Sequence, residues 1–284
     1  MTTVDALLKA RRVRRGSVPV GTLLAALVVI AVAVAALWPQ LLTSYDPEKA
    51  APDSVFLAPS LAHPFGTDQL GRDVLARVIH GAQYSLLIGL GAATFSLALG
   101  VVAGLLAVYL PFGLDRLVQR GIDILLAFPE LLLALLVIAV LGRGPVNTLV
   151  AVGISGLATY ARLVRSQVIA ARLSGYAEQA KVLGERPFAV VLRHVLPNIA
   201  RPLTVVATLS VGSAILSASA LSFLGLGVTP PTPEWGAILS EGRSQLSIAP
   251  WTSLLPATIV AVTVISITVL GRALQARLTG GGRA

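Results

Sequence analysis

The sequence predicts an all-α polytopic membrane protein with six transmembrane helices, and three observations carry that prediction. Of the 284 residues, 55% are hydrophobic and only 12% charged, about half the charge that a water-facing domain carries. The apolar residues are mainly Leu, Ala, Val and Ile in long stretches without charge, whereas the strands of an outer-membrane barrel would alternate at period two. The stretches are also the right length, because a bilayer core takes roughly 20 apolar residues per helix.

Six such windows follow in order. The first is Val18 to Trp38, preceded by Lys9, Arg11, Arg12, Arg14 and Arg15. A cleaved signal peptide is the competing reading of this segment, but the apolar stretch is long for one and its basic flank favours retention as an anchor. The second window lies within Val78 to Leu114, centred on Leu86 to Leu110. The third, Gly121 to Leu141, is interrupted by Asp123 and Glu130, with Pro129 inviting a local kink. The fourth runs from Gly144 to Ala161, the fifth lies in Pro202 to Gly227 and the sixth in Ser253 to Gly271. The chain accordingly divides into a basic tail (1–17), an anchor helix (18–38), an external loop (39–83), a five-helix core (84–275) with short cytoplasmic helices at 172–197, and a final tail (276–284).

Charge placement orients the bundle. With both termini cytoplasmic, the inner segments hold the five tail cations, Arg116 and Arg120, the run from Arg162 to Arg201, and Arg272 onward. Of 22 Lys and Arg, that leaves Lys49, Arg72, Arg77, Arg143 and Arg243 outside, the bias the positive-inside rule expects. The net charge of +9 is therefore spread along the membrane faces, and no soluble basic domain is present to bind nucleic acid. The absence of cysteine excludes disulfides, thiolate metal sites and cysteine nucleophiles. His63, His80 and His194 show no metal-ligand spacing.

Two loops carry the informative residues. The external loop reads Gly66-Thr-Asp68-Gln-Leu-Gly71-Arg72-Asp73 before an amphipathic stretch, Val74 to His80. Its glycines allow positive-φ turns, and Asp68 and Asp73 can cap a following helix. The cytoplasmic segment reads Gly175-Tyr176-Ala-Glu178-Gln-Ala180-Lys-Val-Leu-Gly184, then Glu185-Arg-Pro187 through to Leu196-Pro197-Asn198. Gly184 suits a left-handed cap and Pro187 the first turn of a second helix. A bent helical pair with small residues along it can let another backbone approach closely and needs a partner for its apolar faces.

That spacing resembles the inner-membrane permease subunits of binding-protein-dependent ABC importers. Their cytoplasmic signature is Glu-Ala-Ala, three residues, Gly, nine residues, Ile, one residue, Leu-Pro. Here the pattern is Glu178-Gln179-Ala180, Gly184, His194 and Leu196-Pro197, so Gln179 and His194 depart from it. Gly66-Thr-Asp-x-x-Gly71-Arg-Asp, Arg77, Gly81, Ser85-Leu-Leu-Ile-Gly89, Leu221 to Gly227, Pro230 to Gly236, Glu241-Gly-Arg243 and Ala249-Pro-Trp251 are similar to segments of the dipeptide, oligopeptide and nickel permeases. The glycine-threonine-aspartate loop after one leading span looks like the second, C-type permease of the pair.

The resemblance implies a type I ABC importer permease fold in the bacterial cytoplasmic membrane, moving peptides or similar small solutes. It implies no catalysis and no cofactor in this chain, with ATP and Mg²⁺ held by partners. The chain's own lysines agree, because Lys9, Lys49 and Lys181 do not stand in a Gly-Lys-Ser/Thr phosphate loop. The implied partners are a homologous B-type permease, one or two kinds of cytoplasmic ATPase, an extracytoplasmic solute-binding protein and membrane lipid. Tyr176, Glu178, Ala180, Gly184, Arg193, Leu196 and Pro197 would form the ATPase-coupling elbow, with Glu178 meeting a polar or basic group. Asp68, Arg72, Asp73, Trp235 and Arg243 are candidates for docking the binding protein.

Asp123 and Glu130 are candidate pathway or gate residues, since Arg116, Arg120, Asp123, Ala127 and Glu130 share a helical face at spacings of three and four. A helix-packing hydrogen bond is the plainer reading of Glu130. Gly100 and Gly104 read as a close-packing face, Ser213, Ser217 and Ser219 as bonds to their own helix, and Trp38, Trp235 and Trp251 as interfacial anchors. An ATP-independent transporter or channel is the alternative function, and a scaffold without a pathway a third. Internal repeats common in secondary transporters are not evident.

Overall fold

The computed structural model describes residues 19–111, 113–173 and 184–280, and within them the chain is helical, joined by loops with one isolated bridge between Thr67 and Asp73. Helix α1, Val20–Leu37, is apolar all round, and of its residues only Ala25 and Ala35 are buried. It leans on the bundle through small side chains and leaves Leu23, Leu24, Leu27 and Ile30 exposed, as a lipid-facing helix should. Trp38 follows, exposed, and donates its backbone N–H to Val34 O. Its place at the span end is that of an interfacial anchor.

Helix α2, Val74–Tyr109, has 36 residues, roughly 54 Å at 1.5 Å per residue. A hydrocarbon core is about 30 Å thick, so α2 outruns it. The amphipathic stretch Val74 to His80 is the start of this helix, and the external loop ends at Asp73 rather than near Gln83. Asp73 caps the helix, its Oδ1 accepting from Ala76 N at 2.6 Å.

The long axis of the bundle is the contact between α2 and helix α5, Pro145–Arg172. Gly100 and Gly104 face Tyr160, Ala161 and Val164 so closely that a Cβ on Gly104 would lie 2.7 Å from Val164 Cβ. The fit is reciprocal, with Phe95 of α2 lying over Gly153 of α5. Where lipid and side chain are equally apolar, such backbone approach is what makes one helix pair preferable to another.

The third predicted span requires correction. It is two helices, α3, Leu114–Ala127, and α4, Glu130–Leu141, bent by 102° at the break between them. Pro129 forces the cause: the residue before a proline is pushed out of the helical region, and Phe128 sits at φ −88°, ψ 138°. With 14 and 12 residues, neither half alone crosses a 30 Å core at 1.5 Å per residue. The structure therefore has five helices long and apolar enough to cross, or six if the bent pair is one span. Glu130 consequently leaves the stripe formed by Arg116, Arg120, Asp123 and Ala127.

After α5 the described chain resumes at Gly184. A turn of helix α6, Pro187–Val190, leads through a π-helical segment, Val191–Val195, into helix α7, Leu196–Phe223. Pro197 lacks an N–H and its ring crowds the carbonyl four residues back. A widened turn is the usual accommodation, and Asn198 Nδ2 donates to the His194 carbonyl at 2.6 Å. Short helix α8, Trp235–Arg243, then packs against α7 and the last helix, α9, Trp251–Gly280.

The glycines make a direct test of this packing. Gly100→Leu should lower the melting temperature of the purified chain, since overpacking costs roughly 1–3 kcal/mol. Gly121→Ala in α3, where an added Cβ meets nothing within 4 Å, should raise it, by up to about 1 kcal/mol of helix propensity. Thermal unfolding in detergent checks both signs.

Candidate functional site

Motif residues far apart in sequence converge at the start of α2. Asp68 Oδ2 accepts from Arg72 Nε at 2.7 Å and from Arg77 Nη1 at 2.9 Å. Glu241, on α8, accepts from Arg72 Nη2 at 2.6 Å and Arg77 Nη1 at 2.7 Å on Oε2, and from Arg77 Nη2 at 3.2 Å on Oε1. Arg72 and Arg77 are 2% and 1% exposed. Two guanidinium groups and two carboxylates thus cancel in a nearly dry site, which is the condition under which buried charge is tolerated.

Around this cluster the loop is folded tightly. Asp68 Oδ1 accepts from the backbone N–H groups of Leu70 and Arg72 at 2.8 and 3.0 Å. Asp73 Oδ2 pairs with His63 Nδ1 at 2.9 Å while its other oxygen caps α2. Thr67 Oγ1 donates to Ser54 O and accepts from Leu57 N, and Trp251 Nε1 donates to Thr67 O at 3.2 Å. Gly71, at φ +74°, turns against Ala51 O with no room for a Cβ.

A second buried acid fixes α8. Glu234, fully buried, caps that helix, accepting from Gly236 N and Ala237 N at 3.0 Å each and from Ser85 Oγ of α2 at 3.0 Å. Trp235 Nε1 donates to Val78 O at 2.9 Å, and its ring lies against Gly81. The glycine lets the indole sit on the helix backbone.

These placements correct part of the sequence reading. The side chains of Asp68, Arg72, Asp73 and Trp235 are buried, so they brace the loop from within and do not themselves offer a docking surface, and Trp235 is a core peg rather than an interfacial anchor. Arg243 is exposed, its guanidinium 5.3 Å over the Phe223 ring. Sequence reasoning gave no role to Arg77, Glu234 or Glu241. For the two acids there was a signal, a chain so poor in carboxylates placing them beside tryptophan and glycine motifs; for the burial of Arg77 there was none.

At the opposite end of α2 lies the elbow. Tyr176, Glu178 and Ala180 fall outside the described residues. Gly184 has φ +81°, the left-handed backbone expected of it, and Glu185 pairs with His194 at 3.2 Å. Arg193 and Pro197 are exposed and Leu196 half-buried, while Val190, Val195, Ile199 and Leu203 pack on Val164, Val168 and Ala171 of α5 and on Leu97, Val101 and Leu105 of α2. Arg172 closes this end, donating to Val108 O at 3.1 Å and lying 5.2 Å over Tyr109.

The two candidate pathway acids separate. Asp123 on α3 pairs with Arg162 of α5 at 3.0 Å, both side chains well exposed, a pair of small energetic weight. Glu130 opens α4 and faces Ser217 Oγ of α7 at 3.5 Å, beside a cavity of about 100 Å³ that Ser96, Thr159, Tyr160, Ser210 and Ser213 also line. Of the three serines read as bonding to their own helix, Ser213 does so, to Ser210 O at 3.0 Å, and Ser219 Oγ is buried without a partner. Among the described residues no cluster of three or more His, Asp or Glu could hold a metal.

This bundle is the fold of ABC importer membrane subunits. Solved structures of the MetNI methionine ABC transporter in inward-facing conformations align with a TM-score of 0.58 at 18% identity, covering 73% of this chain and 97% of that one. A crystal structure of an amino acid ABC transporter with histidines aligns at 0.57 and 16%, covering 72% and 94%. Residues 96–280 match the family of binding-protein-dependent transport system inner membrane components. The glutathione transport system permease protein GsiD of Escherichia coli O6:K15:H31 (strain 536 / UPEC) and that of Shigella boydii serotype 4 (strain Sb227) are each 41% identical over 266 residues, covering 93% of this chain and 87% of theirs. The chain belongs to that family, the inner-membrane permease components of ABC importers. These relatives give the ATP-independent alternative no support.

Replacing one member of the ion cluster tests its energetics. Arg77→Met leaves Asp68 and Glu241 under-neutralised in a buried site and should destabilise the folded chain by about 3 kcal/mol, while Arg243→Met should stay within about 0.5 kcal/mol. Chemical unfolding of the two variants in the same detergent distinguishes them.

Proposed function

We propose that the chain is the C-type permease of a peptide importer, with a glutathione-sized peptide as the cargo class. The observation that carries this reading is the 41% identity to glutathione permeases across 93% of the chain, which includes the external loop and first helix as well as the core. ATP hydrolysis belongs to separate ATPase subunits, of one or two kinds, that grip the elbow from the cytoplasm, where both termini lie. A solute-binding protein delivers cargo to the opposite face.

The geometry supports a mechanical role for the elbow. A segment whose second arm is packed on both α2 and α5 transmits a push to the two longest-packed helices of the bundle as a rigid-body movement. A homologous B-type permease is supported by the apolar groove between α2 and α7, about 550 Å³, lined by Leu90, Leu97, Val101, Leu203, Ala207 and Val211. Such a face suits helix packing against a partner embedded in the same lipid.

Gly184→Asp, which strains the positive-φ turn locally, and Glu178→Lys should both leave membrane insertion intact. In complexes reconstituted into nanodiscs, each should cut the stimulation of ATPase activity by loaded binding protein at least about tenfold, the scale of a coupling free energy near 1.4 kcal/mol. Wild-type stimulation in both variants would refute the elbow as the coupling element.

A further inference from the structure

The cavity beside Glu130 has features that neither helix packing nor the elbow uses. Its walls come from α2, α4, α5 and α7, and among the described residues lining it Glu130 is the one that carries charge. The rest of its polarity is hydroxyl: Ser96, Thr159, Tyr160, Ser210 and Ser213, with Ser217 at its edge. Of these, Thr159 and Ser213 are exposed, whereas the Tyr160 hydroxyl is enclosed in the packing near Ser210 and Ser96 Oγ is committed to Gly153 O at 2.6 Å.

Glu130 is under-satisfied. Its hydrogen bond to Ser217 Oγ, at 3.5 Å, is at the limit of a useful one. The N-terminus of α4 supports the carboxylate, which explains how it is held but not why its outer face is left open to the cavity.

We propose that this cavity is a subsite for a protonated primary amine, the free amino terminus of a peptide-class solute passing through the bundle. An ammonium carries three donors and no acceptor. Glu130 supplies the charge and two acceptor oxygens, and the serine and threonine hydroxyls that line the cavity, with Ser217 at its edge, supply further acceptors. About 100 Å³ exceeds what a single water needs several times over, enough for an ammonium with its adjoining methylenes. The site's cargo rests on the importer reading above, but its charge preference does not.

The chain contains no cysteine, which makes a test possible without cargo. Thr159→Cys and, separately, Ser213→Cys place one thiol at the cavity, since both positions are exposed. In the assembled complex in membrane vesicles, modification of this chain by ethylammonium and ethylsulfonate methanethiosulfonates is followed by mass spectrometry. The cationic reagent should react about tenfold faster than the anionic one, beyond the ratio for a free thiol, as a charged cleft concentrates counter-ions. Glu130→Gln should return the ratio to the free-thiol value, and Glu130→Asp should preserve it. A ratio unmoved by Glu130→Gln, or no reaction of either cysteine with either reagent, would overturn the proposal. ATPase stimulation by loaded binding protein, measured in the same vesicles, reports separately on the importer reading.

Discussion

One end of this molecule depends on four charges kept almost free of water. Arg72 and Arg77 meet Asp68 and Glu241 with five side-chain hydrogen bonds, and these groups come from a loop, the start of α2 and the separate helix α8. Desolvating four ions is costly unless each is neutralised and hydrogen-bonded. The arrangement is therefore all or nothing, since a loop displaced by a few ångströms would leave two carboxylates unpaired. The length of α2 makes such a site possible, because its first turns outrun the hydrocarbon and carry Arg77 to a place where ions can be assembled at all. The Glu234 cap and the Trp235 peg then hold α8 on the same stretch of α2.

The opposite end is built from different physics. Beneath the elbow the contacts are aliphatic, and the chain turns at a positive-φ glycine and a π-helical segment ahead of Pro197. Apolar contacts are non-directional, whereas the ionic cluster is held by directional bonds. Between them run α2 and α5, drawn together at Gly100, Gly104 and Gly153.

What could be read from sequence follows from which forces are local. Five of the six spans were legible because a charge-free apolar run of sufficient length has few alternatives in a bilayer. The break at Phe128-Pro129 was visible only as a possible kink, since a proline reports that a helix is disturbed and not by how much. Asp73 as a cap, Gly184 as a left-handed turn and Pro187 as a helix start were legible because each is decided by two or three neighbouring residues. The ion cluster was not. Arg77 and Glu241 are separated by 164 residues, and nothing in the local sequence says that an arginine on an amphipathic helix will be buried, or that Trp235 will point inward.

Hydrogen–deuterium exchange on the chain in nanodiscs, comparing wild type with Glu241→Gln, measures most directly whether that cluster unites the loop, the start of α2 and α8. Peptides covering the amides of 66–80 and those of 234–243 should be protected together in the wild type and lose protection together in the variant, although only one of them carries the change. Loss confined to 234–243, with the loop and the start of α2 exchanging as before, would contradict a shared ionic core.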